Sequence, residues 1–162
     1  MPPVYQPPVP FSQNISVGAA GGPFAGYQVT DANLTSAQIL ALQTTPVALV
    51  AAPGVGFTIT PHLAIVRFIA GSIAYTNAGG AMSLTVGGTN GLNQTLASSF
   101  ITAVSPNYTN EVVNFAGVGI AAGGNPPANE NAALQITKAT NQFLAGNGTA
   151  HVTMYYTIEP TK

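Results

Sequence analysis

The chain has 162 residues, of which 46% are hydrophobic and only 4% are charged, and its formal net charge is −1. Three basic residues are too few for the patch of phosphate-neutralising side chains that nucleic-acid binding needs, or for a polybasic contact with a membrane surface. The absence of cysteine excludes disulfides, thiolate nucleophiles and cysteine metal ligands.

Residues 1–24 form a segment of unusual composition. Five of the first ten residues are proline, which favours an extended backbone without internal hydrogen bonds. One interpretation is a disordered tail. The other is an arm that lies across a neighbouring subunit, with large apolar side chains as its anchors. On that interpretation the protein-interaction residues of the arm are Val4, Tyr5, Val9, Phe11 and Phe24.

The segment after the arm predicts a short helix followed by a strand. Thr35 and Gln38 have the spacing of a capping box, so we expect a helical turn over residues 36–43, ended by Pro46. Val47–Ala51 is a short apolar strand. The tetrapeptide 52–55 then places proline second and glycine third, as a type II turn requires.

The run His62–Tyr75 predicts a long strand with two apolar faces. Such a strand is central in a sheet packed on both sides, or is covered by a partner. Arg67 lies on one of these faces and is a candidate interaction residue. It is either an exposed residue on a half-wet strand or the partner of a glutamate, within the subunit or across an interface. Alternation assigns Leu63, Ile65, Ile69, Ile73 and Tyr75 to one face, and Ala64, Val66, Phe68, Ala70 and Ala74 to the other.

The second half of the chain predicts further short strands between Gly, Pro and Asn turns. Residues 76–80 are interpreted as a hairpin loop and residues 92–99 as a short helical or irregular piece. The strongest alternation is at residues 151–158. The other predicted strands are 82–86, 111–122 and 134–136. We therefore expect an all-β fold: one jelly-roll-like β-sandwich domain over residues 25–162, with one short helix and the extended Pro-rich arm over residues 1–24.

The titratable residues do not form a pattern that supports catalysis. No Gly-x-Ser-x-Gly motif is present, and the two histidines lack metal-ligand spacing. We therefore expect no enzymatic activity, no cofactor and no metal site. The acids and histidines, interpreted as exposed or hydrogen-bonded residues, are Asp31, Glu111, Glu130, Glu159, His62 and His151.

Three stretches of the chain together resemble a family of small virion proteins from tailed bacteriophages. They are 34–56, which contains LTSAQILAL and TPVALVAAPGVG; 131–136, NAALQI; and 146–156, GNGTAHVTMYY. The resemblance implies a β-rich virion component, and a capsid decoration (cement) protein is the role we favour. Its location would be the outer capsid surface, and its partners would be the major capsid protein and itself, as a homotrimer.

The low charge agrees with that role. A surface made of Asn, Gln, Thr and Ser is only weakly repulsive, so it suits a protein that packs against other subunits. The alternative role is a tail-fibre or receptor-binding module. A fibre would show heptads or shaft repeats, and this chain shows neither.

Overall fold

The computed structural model describes residues 26–76, 82–87, 92–96, 101, 108–115 and 129–161. The predicted arm, residues 1–24, lies outside the described residues. The described elements, in chain order, are β1 (Gln28–Leu34), α1 (Ser36–Ala41), β2 (Val47–Val50), β3 (Phe57–Ile69), β4 (Met82–Val86), β5 (Leu92–Leu96), β6 (Tyr108–Asn114), β7 (Leu134–Lys138) and β8 (Thr149–Pro160).

The strands form two four-stranded sheets with the orders β1-β8-β3-β6 and β2-β7-β4-β5. Every neighbouring pair is antiparallel. This confirms the all-β prediction at the level of two antiparallel sheets and one short helix in the described part of the chain. Strand β3 lies between β8 and β6, as its two apolar faces predicted.

The short helix and the last strand follow their sequence signals. The Thr35 hydroxyl accepts a hydrogen bond from the Gln38 amide, and the Gln38 side chain accepts one from the Thr35 amide, so the predicted capping box is present. In β8, Val152, Met154 and Tyr156 are buried, while the residues between them are only partly buried. The alternation therefore orients this strand as predicted.

Strand β3 begins five residues before the predicted start and contains Pro61. Proline cannot donate to the ladder of hydrogen bonds, so it is tolerated in a central strand only at an irregularity. The register against β8 shifts between Pro61 and Leu63, which is such a bulge. A bulge inside the strand explains why the proline did not end it.

The predicted shared face of residues 62–75 is wrong beyond Ile69, where β3 ends. Ile73 is 55% exposed, whereas Tyr75 is 2% exposed. The predicted hairpin at 76–80 is also wrong, because β3 and β4 belong to different sheets. Residues 92–96 form strand β5 and not a helical piece. Strand β1 was not predicted.

Inward-facing residues of both sheets, together with Ile39 of α1, form one hydrophobic cluster. The sheet β1-β8-β3-β6 supplies Leu34, Ile59, Ala64, Val66, Phe68, Val152 and Met154, and the sheet β2-β7-β4-β5 supplies Met82, Leu84, Val86, Leu96, Leu134 and Ile136. With the inward positions used for the core, the outward sides of the sheets and the loops at their ends are the surfaces available for contacts.

Candidate protein-interaction surface

Of the six residues predicted to contact partners, only Arg67 is described. Val4, Tyr5, Val9, Phe11 and Phe24 lie outside the described residues. Arg67 is exposed on the outward side of β3, in register with His151 on β8 and Asn110 on β6.

The outward side of the sheet β1-β8-β3-β6, here called the outer face, carries large apolar side chains. Tyr155 on β8 is in register with Val29 on β1 and with Leu63 on β3. Two residues along β3, Ile65 is in register with Val112 on β6. Three of the apolar side chains on the outer face are exposed to solvent: Val29 by 42%, Val112 by 65% and Ile69, at the end of β3, by 51%.

A polar row crosses the outer face. The Asp31 carboxylate accepts a hydrogen bond of 2.6 Å from the Thr153 hydroxyl, and its Oδ1 lies 3.4 Å from His151 Nε2. Both side chains of the His151–Asp31 pair are substantially exposed, so the pair contributes little to stability. This row and Arg67 orient polar groups across an apolar surface, as in interfaces that combine apolar area with a few hydrogen bonds.

The outward side of the other sheet is polar apart from one alanine. Among the described residues it carries hydroxyl and amide side chains: Asn93, Thr95, Gln135 and Thr137, with the buried Ser83 and Thr85 on β4 and with Ala48 on β2. The two outward surfaces thus differ sharply within one small protein. Since a sheet with one solvated side normally places polar residues there, the outer face is the exception that needs an explanation.

A second exposed surface lies at the end of the sheets where β3 stops. It is formed by residues 70–76 and 139–148 and is here called the Ile73–Leu144 end. Ile73 donates its amide to Asn147 Oδ1 at 2.9 Å, and the Asn147 amide donates to the Ile73 carbonyl at 3.2 Å. The Asn147 side chain also donates to Ser72 at 3.0 Å. These bonds clamp the two loops together.

The base of this end is a buried aromatic cluster. Tyr75 donates its hydroxyl to the carbonyl of Gly148 at 2.7 Å, and its ring packs edge-on against Phe68 and Phe143, at centroid distances of 5.9 and 5.5 Å. Burial raises the pKa of Tyr75 to about 12. The Lys138 ammonium lies 4.6 Å from the Phe143 ring centre and donates to the Thr140 carbonyl at 2.6 Å. Burial lowers the pKa of Lys138.

Two glycines are required for this packing. Gly146 has a φ of 122°, and a Cβ there would overlap the Tyr75 ring. A Cβ on Gly71 would overlap Asn147. The loops are therefore fixed by hydrogen bonds, aromatic contacts and glycine geometry, and they hold Ile73 (55% exposed) and Leu144 (76% exposed) towards solvent. Neither loop contains a charged residue. A rigid, neutral, apolar surface loses little entropy when it binds a partner.

The titratable groups are dispersed over the described residues. His62 Nε2 lies 3.1 Å from the Thr157 hydroxyl, which itself donates to Glu159 at 2.9 Å. That grouping is far along β8 from the His151–Asp31 pair. Within the described ranges, no three His, Asp or Glu residues are placed to hold a metal ion. In the same part of the chain, no helix has the length and hydrophobicity to cross a membrane.

Sequence reasoning found part of these surfaces. It grouped Leu63, Ile65 and Ile69 on one face, but it missed Val29 and Val112, which join them only through strand register. The Ile73–Leu144 end was also missed. The sequence did contain one indication of it: Ile73 and Leu144 are large apolar residues among Gly, Asn and Ala, in loops that would normally be polar if they were solvated.

No protein-family model matches the sequence, and no curated protein matches it significantly. The resemblance to bacteriophage virion proteins therefore stays a prediction.

Proposed function

We propose that this protein is a virion structural protein that binds the outer face of a phage capsid and stabilises contacts between major capsid protein subunits. The observation that supports it best is the Ile73–Leu144 end: a rigid surface of apolar and amide groups without charge. In this proposal, that end contacts the capsid. The resemblance described above supplies the setting.

The charge of the chain supports a role among other subunits. At 4% charged residues, against about 25% in ordinary soluble domains, the surface has little electrostatic repulsion to keep copies and partners apart. The described surface also has two separate areas with exposed large apolar side chains, the outer face and the Ile73–Leu144 end. A decoration protein needs two such areas, one for its own copies and one for the capsid.

We also propose that the two sheets form a jelly-roll sandwich, which the strand pairing supports. The observed pairs include β1 with β8, β2 with β7, β3 with β6 and β4 with β5. These are the pairs that one long eight-stranded hairpin makes when it is wrapped into two sheets. Jelly rolls of this kind recur in viral capsid domains.

The mechanism in this proposal is mechanical. Each subunit, in a homotrimer, buries its Ile73–Leu144 end over a junction between capsid subunits. Apolar area contributes about 25 cal/mol per Å² on burial, less the cost of ordering the groups that meet. Since the loops are already fixed by Asn147 and Tyr75, that cost is small on this side. Many such contacts would hold neighbouring capsid subunits together against the pressure of the packaged DNA.

The test is binding of purified protein to particles prepared without it, measured by co-sedimentation. Leu144→Asp places a charge in the centre of the proposed contact and should strongly reduce occupancy. Val55→Asp is the matched control, because Val55 is 82% exposed but precedes β3, about 40 Å from the Ile73–Leu144 end. Equal binding by both variants would exclude this end as the contact. Electron microscopy of decorated particles should show density over the capsid faces, whereas density at the tail would favour the receptor-binding alternative.

A further inference from the structure

We infer that the outer face is the docking surface for the N-terminal segment, residues 1–25, of a second copy of this chain. The inference goes beyond the capsid contact, because it concerns how copies associate with one another. It is based on four properties: the area of the face, its exposed apolar side chains, the point where the segment joins the sheet, and the length of the segment.

The area of the outer face suits a segment better than a globular body. From Leu63 to Ile69 the apolar positions extend about 20 Å along β3, and four strands span about 14 Å between their axes. The patch is therefore on the order of 300 Å². Two such faces packed together would bury about 600 Å², which is about half of what a stable interface between globular bodies requires. An extended peptide of six to eight residues covers a surface of this length.

The chemistry of the segment matches the face. Asp31 is the first residue of the chain with a charged side chain, so residues 1–25 carry none. Their large apolar residues, among them Tyr5 and Phe11, match the exposed Val112 and Ile69 in character. Proline reduces the entropy that the segment loses on docking, and its lack of an amide donor favours lying on a face over pairing with a sheet edge.

The segment joins the chain beside this face. Only Gly26 and Tyr27 separate it from β1, which is an edge strand of the same sheet. The Tyr27 ring lies 4.8 Å from the ring of His62 on β3, so the chain enters at the corner near Val29, Tyr155 and Leu63.

The length of the segment favours a neighbour over the same chain. An extended, proline-rich chain of 25 residues reaches about 75 Å. Its apolar residues from Val4 to Val17 would extend over about 40 Å, which is twice the length of one outer face. Any one outer face holds about half of this length, and passage to a neighbour lets the other half lie between the two copies. In this arrangement the segment of each copy lies on a neighbour, and the outer face of each copy receives the segment of another copy.

Disulfide trapping tests the inference on the full-length protein, which has no native cysteine to interfere. One set of variants carries a single cysteine in the segment, at Val4, Phe11 or Val17. A second variant is Val112→Cys on the outer face. The matched control is Thr95→Cys, exposed on the outward side of the other sheet. Each segment variant is mixed with each sheet variant under mild oxidation, and mixed disulfide-linked dimers are quantified by mass spectrometry.

At least one segment position should give several-fold more mixed dimer with Val112→Cys than with Thr95→Cys, because docking raises the local thiol concentration. Equal yields with both sheet variants at every segment position would overturn the inference. A chain with both cysteines, one in the segment and one at position 112, separates the two routes. A disulfide closed within one chain, with no mixed dimer, would show that the segment returns to its own face and would also overturn it. The assay contains no capsid, so its failure would leave the proposed capsid contact standing.

Discussion

The Tyr75 hydroxyl offers the sharpest test of how the Ile73–Leu144 end is built. Tyr75→Phe keeps the ring contacts with Phe68 and Phe143 but removes the donor to the buried Gly148 carbonyl. A buried acceptor left without its donor costs about 1–3 kcal/mol of unfolding free energy. In a chain of 162 residues each kcal/mol corresponds to about 2–4 °C, so the melting temperature at pH 7 should fall by about 2–12 °C.

At high pH the same variant should be less sensitive to pH than the wild type. Burial raises the pKa of Tyr75 to about 12 from the ordinary value of 10.0. Between these values the unfolded chain has lost the phenolic proton while the folded chain still holds it, so wild-type stability falls as pH rises from 10 to 12. Phenylalanine does not ionise and escapes this loss. The stability gap between wild type and Tyr75→Phe should therefore be largest below pH 10 and should narrow above it.

Urea denaturation followed by circular dichroism, at pH 7, 9, 10 and 11, measures both effects. Tyr155→Phe is the control, because Tyr155 lies on the outer face and is only partly buried. Its removal should change the unfolding free energy by less than about 0.5 kcal/mol. Identical midpoints for the two variants at pH 7, or a gap that does not narrow above pH 10, would refute the assigned role of the Tyr75–Gly148 bond.

Four further predictions concern assembly and the loops. Attachment to particles should persist from low salt to about 1 M, where the Debye length is about 3 Å, because ionic contacts are expected to contribute little to binding. Release within that range would contradict this prediction. Gly71→Ala should lower the unfolding free energy by about 1–3 kcal/mol in urea titrations, because its Cβ overlaps Asn147; an unchanged midpoint would show that the loop adapts. Deleting residues 1–24 should preserve the circular dichroism spectrum and weaken particle attachment in co-sedimentation, so undiminished binding would identify a mere tail. Light scattering at micromolar concentration should detect a homotrimer, not a monomer.

The strands that could be predicted are those whose burial pattern is visible locally. Strand β8 alternates buried and partly buried positions from Ala150 to Thr157, and its prediction is confirmed. The capping box around α1 is a local signal and is confirmed as well. Strand β1 was missed because its sequence, QVTDANL, has only one β-branched aliphatic residue and an Asp and an Asn that disfavour strands. It is an edge strand that depends on pairing with β8, not on its own propensity.

The hairpin predicted at residues 76–80 failed for a topological reason. Adjacent strands with a Gly-rich connection usually pair, and β3 and β4 fit that pattern in sequence. In the fold, β3 pairs with β8 and β6, and β4 pairs with β5 and β7. The partners are remote in sequence, and a local turn signal cannot distinguish a hairpin from a crossing between sheets.

The interaction surfaces depend on the same remote pairings. Val29 and Val112 are separated by more than eighty positions, yet both border the central pair β8 and β3 on one outward side. Asn147 reaches Ile73 only because β8 begins where β3 ends. Composition therefore supports the hypothesis that this chain contacts partners, but it does not indicate which exposed apolar residues lie together.

The position of the charges bears on both proposals. The exposed outward residues of the β2-β7-β4-β5 sheet, such as Asn93 and Thr95, are neutral yet hydrophilic, so low charge alone does not require apolar surface. The chain could have covered the outer face with Thr and Gln in the same way. Instead it places Val29, Ile69 and Val112 there, and on the same face it keeps Asp31 and Arg67, two of its seven formally charged side chains. Charges that served only solubility would be expected to be spread over the molecule. Charges beside an exposed apolar patch are better explained as the polar rim of a contact, which excludes wrong partners and fixes orientation.

On that explanation, Arg67→Gln should change which cysteine pairs between the segment and the outer face form disulfides. Its effect on the unfolding free energy should be small. A loss of stability without a change in the disulfide pairs would contradict this role of Arg67.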